Sequence, residues 1–367
     1  MNDNRFDDIR PYYDSELPEA LKRIAAWELF PQVARFIYPD LSADEARKRL
    51  YETETIHGLQ STFMNDAIKR IIDNTTSGFT YTGADHLKRG QSYLFISNHR
   101  DITLDAFLLQ HVLIERKGQT SYIVFGDNLL SLPIMTDLFR SNRLIRTDRG
   151  GTRRAYYLGL QHLSEYMHYL IEQEHQSVWI AQRNGRGKDG IDRTAPAIVK
   201  MLALGSDQDP LQALVNLHIV PMSISYEWDP CDLMKVNELY QSRQGEYHKA
   251  PDEDLNSVVT GIIAPKGKVH LSIGTPMTRA ELCPPEGVEL ADHVATQLDR
   301  RIQGAYSLMS TNYLAYDMLN GTHKYHNKYT EKIKHQFEQR LEQLAHPEKQ
   351  QILIEMYANP VISALKL

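Results

Sequence analysis

The sequence predicts an α/β fold, with a mostly parallel central sheet flanked by helices and with helical N- and C-terminal extensions. Short apolar runs of strand length alternate with helical segments between residues 79 and 280. These runs are apolar on both faces, which is typical of buried parallel strands. Outside this range the periodicity is helical. We therefore divide the chain into an N-terminal helical region (1–78), an α/β domain (79–280) and a C-terminal helical region (281–367).

The first 78 residues are predicted to be helical. Apolar residues recur at about the 3.6-residue helical period over Pro18–Ile37. Ser42 is a suitable N-cap for a helix over Ala43–Tyr51, and Gly58–Asp73 continues the pattern. The composition of Asn74–Gly78 predicts a loop that closes the region.

Strands and helices then alternate. The predicted strands are Phe79–Thr82, Tyr93–Ser97, Ser121–Phe125, Leu144–Arg146, Ser177–Ala181, His218–Tyr226 and Val269–Ile273. The predicted helices between them are Ala106–Glu115, Ile134–Arg140, Thr152–Glu174 and Ala195–Leu204. After Glu281 the clearest helices are Gly287–Met309 and Tyr329–Leu344.

Composition excludes several classes of protein. The chain has 367 residues, with 41 basic and 47 acidic side chains and a net charge of −6, which argues against a uniformly basic nucleic-acid binder. No apolar run approaches the ~20 residues of a membrane-spanning helix. The polar start and the two cysteines predict neither a signal peptide nor a disulfide framework. We expect a cytoplasmic protein. Peripheral contact with the inner face of a membrane stays open, with Trp27–Tyr38 either at the interface or in the core.

The first of four chemically informative blocks is Ser97–Asp105. A predicted strand ends near His99, and carboxylates follow within a few residues. A carboxylate on one ring nitrogen orients a histidine as a general base and stabilises the imidazolium. Asp105 and Asp101 are both candidates for this carboxylate. Asp101 is equally suited to cap the following helix.

The second block, residues 140–154, holds six arginines and one aspartate. Clustered guanidinium groups bind phosphate through planar, bidentate hydrogen bonds. The alternative is a solvated charged face.

The third block follows the predicted strand Ser177–Ala181 and combines glycines with cations. Glycine allows the backbone to approach a ligand closely, and exposed N–H groups beside cationic side chains bind anions. The alternative is a solvated turn. The residues that we single out in this block are Arg183, Asn184, Gly185, Arg186 and Lys188.

The fourth block, Ile219–Glu227, is a strand with Pro221 near its start, and by itself it indicates core. The order and spacing of the four blocks resemble the glycerolipid acyltransferase superfamily, and the phrase Ser97–Ile102 looks like its soluble bacterial branch. That family shows a His–x4–Asp motif, an arginine-bearing block, a Glu-Gly-x-Arg-like block and a strand with Val-Pro. The counterparts here are His99 with Asp105, Leu144–Arg149, Arg183–Gly190 and Val220-Pro221, and Phe125–Leu130 falls where the family places a further conserved segment.

The resemblance implies an enzyme of phospholipid synthesis. It would move a fatty acyl group from acyl-CoA or acyl carrier protein to a hydroxyl of glycerol-3-phosphate or lysophosphatidate. His99 would be the general base and Asp105 its partner. The acceptor would be bound by Arg149, Arg183, Asn184, Gly185, Arg186 and Lys188. We expect no metal, no cofactor besides the acyl co-substrate and no nucleic-acid partner.

Two features depart from the family pattern. Five residues separate His99 from Asp105, one more than in the family, so the extra residue must be absorbed in the turn between strand and helix. The acidic residue of the third block is replaced by Asn184, or by Arg183 in an alternative alignment. These departures leave a second hypothesis open: a catalytically weakened or non-catalytic protein of the same fold that binds phospholipid or an acyl carrier.

Overall fold

The computed structural model describes residues 4–127, 133–147, 150, 152–250 and 252–367. Its helices are α1 Leu17–Ala26, α2 Phe30–Ile37, α3 Ala43–Tyr51, α4 Ile56–Leu59, α5 Asn65–Thr75, α6 Leu104–Lys117, α7 Pro133–Arg140, α8 Arg153–His168, α9 Pro196–Leu202, α10 Pro210–Asn216, α11 Asp232–Gln244, α12 Glu253–Ile263, α13 Arg279–Leu282, α14 Leu290–Gly304, α15 Ser310–Asn320, α16 Glu331–Glu342 and α17 Pro347–Ala364. Within these ranges, α11 and α12 are long helices that we did not predict from the sequence, whereas α15 and α17 lie in the predicted C-terminal helical region without having been bounded individually.

Seven strands form one sheet. They are β1 Thr76–Thr82, β2 Leu94–Ser97, β3 Tyr122–Gly126, β4 Leu144–Thr147, β5 Val178–Ala181, β6 Ile219–Tyr226 and β7 Gly267–Ile273. Their order across the sheet is β1-β7-β6-β2-β5-β3-β4. All neighbouring pairs are parallel except β6 with β7, so β1 and β7 run opposite to the other five strands. The predicted fold class is confirmed; the domain boundaries stay a prediction.

Strand β2 lies near the middle of the sheet and is buried on both faces. Leu94 and Ile96 pack on one face with α8, α9 and α14. Phe95 and the preceding Tyr93 pack on the other face with α6 and part of α5. Because both faces are covered, the carboxyl edge of the parallel strands is where polar side chains can collect.

The N-terminal helices pack around a separate apolar cluster. The predicted helix Pro18–Ile37 is two helices, α1 and α2, separated by Trp27–Leu29. Phe30 and Tyr38 are buried in the cluster. Of the two alternatives for Trp27–Tyr38, the structure therefore favours core. No helix of the described residues combines the length and apolarity needed to cross a membrane.

The loop predicted at Asn74–Gly78 was wrong. Helix α5 runs to Thr75, and β1 starts at Thr76 without an intervening loop. The hydroxyls of Thr75 and Thr76 donate to the carbonyls of Ile71 and Ile72, at 2.7 and 2.9 Å. The N–H of Thr76 also donates to the carbonyl of Ile72, so the hydroxyls add side-chain hydrogen bonds to the last turn of the helix. The composition of these polar residues indicates a loop, but in the structure they form the end of α5 and the start of β1.

Helix α12 lies unusually close to the start of α6. A Cβ atom on Gly261 would lie 2.2 Å from Oδ2 of Asp101, far inside van der Waals contact. Ser257, one turn earlier on the same face, is also buried. Only a face of small residues lets the α12 backbone approach the buried Asp101 carboxylate.

We expect Gly261→Ala to lower the free energy of unfolding by about 1–3 kcal/mol, because overpacking must displace α12 or Asp101. Gly159→Ala in α8 is the matched control, since no atom lies within 4 Å of its would-be Cβ. The control is expected to gain about 0.5–1 kcal/mol from helix propensity. Urea denaturation of both variants measures the difference; equal stabilisation of both would contradict the close packing at Gly261.

Candidate active site

Three of the sequence blocks meet at the carboxyl edge of the sheet. His99 follows β2, the third block follows β5, and Tyr226 ends β6. Because β5, β2 and β6 are adjacent parallel strands, their carboxyl ends lie side by side. This is the edge at which ligand sites of parallel sheets form.

Asp105, and not Asp101, faces His99. Nδ1 of His99 lies 2.9 Å from Oδ2 of Asp105, which is fully buried in the first turn of α6. The same oxygen accepts hydrogen bonds from the backbone N–H groups of Arg100 and Asp101, at 2.5 and 2.9 Å. The turn between β2 and α6 therefore wraps around the Asp105 carboxylate and absorbs the additional residue.

Asp101 caps the start of α6, which was the second role that the sequence analysis gave it. Its Oδ1 accepts from the backbone N–H groups of Thr103 and Leu104, at 2.9 and 2.8 Å. Burial and the nearby Asp105 carboxylate raise the pKa of Asp101. Within the described residues, its Oδ2 has no hydrogen-bond partner. Asp101 thus binds backbone N–H groups at the start of α6, and Asp105 is the carboxylate that contacts His99.

Tyr226 is a site residue that the sequence analysis missed. Its hydroxyl donates to Oδ1 of Asp105 at 2.7 Å, from a side chain that is buried. Burial and the carboxylate raise the pKa of Tyr226 well above its usual range, so the hydroxyl keeps its proton. In sequence the residue only continues an apolar strand. Its position at the carboxyl end of a predicted strand was the one feature that could have indicated a place near the site.

The His99 ring is fixed on several sides. It contacts Trp179 edge-on, with ring centroids 5.6 Å apart, and its backbone carbonyl accepts from the N–H of Gly187 at 2.6 Å. With Nδ1 directed at Asp105, Nε2 is the ring nitrogen left for a reactant. Its side chain is 15% exposed, enough to contact a reactant.

A cavity of about 160 Å³ opens beside His99. One wall is apolar and the rim is charged, so the cavity suits a molecule with an apolar chain and an anionic group. The apolar wall consists of Ile102, Ala106, Phe107, Ile123, Val124, Phe125, Phe139, Leu144 and Trp179. The charged rim consists of Arg183, Arg186, Lys188, Glu238, Lys249 and Asp254.

The cations of the third block differ in their surroundings. Arg186 is buried and donates from Nη2 to Ser257 at 3.1 Å, while its buried Nη1 has no hydrogen-bond partner among the described residues. Lys188 is paired with Glu238. Arg183 is half-buried, and no described side chain pairs with it. Arg183 and Arg186 therefore keep donors that an anionic ligand can accept.

The other candidate residues are placed differently. Gly185 lines the cavity beside His99, whereas Asn184 is exposed and lines an adjoining cavity with Tyr156 and Leu160. Arg149 lies outside the described residues, as do positions 128–130 of the segment Phe125–Leu130.

Three of the described arginines in the second block contact other residues of the protein outside the His99 cavity. Arg140 donates to the carbonyl of Arg10 at 3.2 Å, and Arg143 to Gln176 at 3.1 Å. Arg146 lies 3.6 Å from Asp127. Among the arginines at 140, 143, 146, 153 and 154, none lines the His99 cavity. Arg149 was the arginine of this block predicted to bind the acceptor, and that prediction stays untested because Arg149 lies outside the described residues.

A buried ion pair joins the first block to the loop that continues from the third block. Asp192 accepts from Nη2 of Arg100 at 2.7 Å and from Nδ2 of Asn98 at 3.0 Å. Burial raises the pKa of Asp192, which the guanidinium of Arg100 partly offsets. Asn98 also bridges to β6, accepting from the N–H of Ile224 at 2.8 Å. These contacts set the distance between His99 and the cationic loop.

Residues 78–225 match the sequence model of the protein family described as Acyltransferase. This segment of the chain is similar to that family over about 40% of its 367 residues. The match supports the resemblance to acyltransferases that the four blocks predicted. The matched segment includes His99, Asp105 and the whole third block, and it ends one residue before Tyr226.

A solved structure is also similar to this chain: the 1-acyl-sn-glycerophosphate (LPA) acyltransferase PlsC from Thermotoga maritima. The two chains share 15% sequence identity, the superposition covers 78% of this chain and 93% of that chain, and the TM-score is 0.39. A comparison with curated proteins finds no match.

Proposed function

We propose that this acyltransferase moves a fatty acyl group from an acyl thioester to a hydroxyl of glycerol-3-phosphate or lysophosphatidate. The observation that carries the proposal is the His99–Asp105 pair at a cavity with an apolar wall and a cationic rim. The apolar wall suits an acyl chain. The cations suit a phosphate on the acceptor. Acyl-CoA and acyl carrier protein are both suitable thioester donors.

In the proposed reaction Nε2 of His99 removes the proton from the acceptor hydroxyl as its oxygen attacks the thioester carbonyl. Asp105 stabilises the imidazolium across its 2.9 Å contact with Nδ1. When the tetrahedral intermediate collapses, the C–S bond breaks and the imidazolium returns the proton to the departing thiolate. The products are the ester and a free thiol, and no covalent enzyme intermediate is needed.

The charged rim would bind the acceptor phosphate. Arg186 offers a buried Nη1 without a partner among the described residues, which makes its hydrogen bond to an anion strong. Arg183 and Lys188 line the same cavity, and Lys188 would exchange or share its Glu238 partner. Arg149 stays a proposed contact.

Contact with a membrane is part of the proposal, because a lysophosphatidate acceptor resides in one. Helix α12 supports it, since Leu255, Val259 and Ile263 are 41, 48 and 63% exposed at four-residue spacing. Asp254 of the same helix lines the cavity rim. We propose that the protein works in the cytoplasm and meets the inner face of the membrane at this side.

We expect His99→Ala to lower acyl transfer by about 10²–10⁴-fold, because the general base is lost. Release of free thiol from an acyl thioester in the presence of acceptor measures the rate. His162→Ala is the matched control, since it removes another His–Asp contact (3.0 Å, to Asp8) outside the cavity. Full transfer by the folded His99 variant would refute the mechanism. No transfer by the unaltered protein with either donor would refute the proposed function.

Tyr226→Phe is expected to lower kcat about tenfold with little change in KM. It removes the hydrogen bond to Oδ1 of Asp105, and a hydrogen bond to a charged group contributes about 1.5–3 kcal/mol. Tyr38→Phe is the control, because it removes another Tyr–Asp hydrogen bond, from a buried tyrosine to the partly exposed Asp66 at 2.9 Å, outside the His99 cavity. If kcat is equal in the two variants, Tyr226 does not support the Asp105–His99 pair.

Substitution at Asn184 separates the enzyme from the weakened or non-catalytic alternative. Because the Asn184 side chain is exposed and does not line the His99 cavity, we expect Asn184→Glu to change the rate by less than about twofold. The same thiol-release assay measures it. A rate gain of tenfold or more would instead show that the missing carboxylate limits catalysis, as the alternative requires.

A further inference from the structure

The cations of the third block lie in a twelve-residue loop, residues 183–194, which we call the cation loop. It contains three glycines and no helix or strand. Its base is closed by a hydrogen bond from the N–H of Ala195 to the carbonyl of Gln182, at 3.0 Å. A loop of this length and composition has many accessible conformations, and only a few of them direct Arg186 and Lys188 toward one cavity.

Helix α17 contacts the cation loop directly. Nδ2 of Asn359 donates to the carbonyl of Asp189 at 2.6 Å. Next to it, Gly190 has φ +76° and packs on the carbonyl of Met356, where a Cβ would lie 2.0 Å from the oxygen. That carbonyl is free because Pro360, four residues later, has no N–H to donate to it. The helix thus presents a donor and an open carbonyl to the loop at one place.

Helix α14 contacts the other end of the loop. Nε2 of Gln303 donates to the carbonyl of Asp192 at 2.5 Å. Oδ1 of Asp299 accepts from the N–H of Thr194 at 2.6 Å. These three side-chain hydrogen bonds from α14 and α17 all end on loop backbone, so they fix its path without engaging its cationic side chains.

Both helices lie outside the segment 78–225 that matches the acyltransferase family. From these contacts we infer that Asn359 and Gln303 are positioning residues that hold the cation loop in the shape that binds the phosphate of the acceptor. The inference rests on the proposed function for the identity of that anion. A loop held in its binding shape loses less conformational entropy when the ligand binds. The hydrogen bonds of Asn359 and Gln303 are therefore expected to increase the affinity for the acceptor.

The test compares Asn359→Ala, Asn359→Asp and Gln303→Ala with Gln350→Ala. Gln350 lies on α17 as well, but it donates to Leu341 and Leu344 and not to the cation loop. We expect KM for glycerol-3-phosphate or lysophosphatidate to rise about five- to tenfold in the Asn359 and Gln303 variants. We expect kcat and KM for the acyl thioester to change less than about twofold. Asn359→Asp keeps the shape but has no donor, so it is expected to match or exceed the effect of Asn359→Ala.

Three outcomes would overturn the inference. One is an unchanged acceptor KM in folded Asn359 and Gln303 variants; another is an equal rise in Gln350→Ala, which would indicate general loosening of the C-terminal helices. The third is a fall in kcat at constant acceptor KM, which would indicate that the substitutions disturb the catalytic step at His99 and not the binding of the acceptor. Each requires an active unaltered protein, so a failure of the positioning role is distinct from a failure of the proposed acyl transfer. Isothermal titration with glycerol-3-phosphate alone provides a readout without turnover, and we expect the same five- to tenfold loss there.

Discussion

The buried carboxylate of Asp105 accepts four hydrogen bonds, and the arrangement of the site depends on it. Three come from its own turn: His99 and the backbone N–H groups of Arg100 and Asp101. The fourth comes from Tyr226 on a neighbouring strand. A buried carboxylate is stable only when it is well paired, so the turn, the histidine and β6 are held in one geometry. The orientation of the His99 ring follows from this constraint.

A second set of buried charges runs from the residue after His99 through α11 of the α/β domain to α16 of the C-terminal region. Nζ of the fully buried Lys235 on α11 donates to the carbonyl of Arg100 at 2.7 Å and pairs with Asp229. Arg340 on α16 donates to Asp232 at the start of α11, at 2.8 Å. Removing one member of such a pair leaves an unpaired buried charge, which is strongly unfavourable. The C-terminal helices are therefore coupled to the residue that follows His99, as well as to the cation loop.

Much of the site was predictable because its residues lie close together in sequence and follow strand ends. The block Ser97–Asp105 contains His99, Asp105 and the helix cap Asp101, and a strand followed by a helix already places them near the sheet edge. Tyr226 was not predictable in the same way, because a buried tyrosine in an apolar strand has the pattern of core. Its role follows from the pairing of β2 with β6, which brings it to a residue 121 positions away. The error at Asn74–Gly78 arose because hydroxyl side chains can end a helix as well as form a loop.

The sequence by itself determined the α/β class, the order of the four blocks and the resemblance to acyltransferases, because strand periodicity and short motifs are local properties of the chain. It left open whether Asp101 or Asp105 faces His99, since both follow the histidine within six residues. Only the tertiary structure decided this, through the direction in which the turn winds around the Asp105 carboxylate. Likewise, only the tertiary structure brought Asn359 of the C-terminal region to the carbonyl of Asp189, 170 residues earlier. Contacts of that kind depend on how distant helices pack, and no local pattern of residues records them.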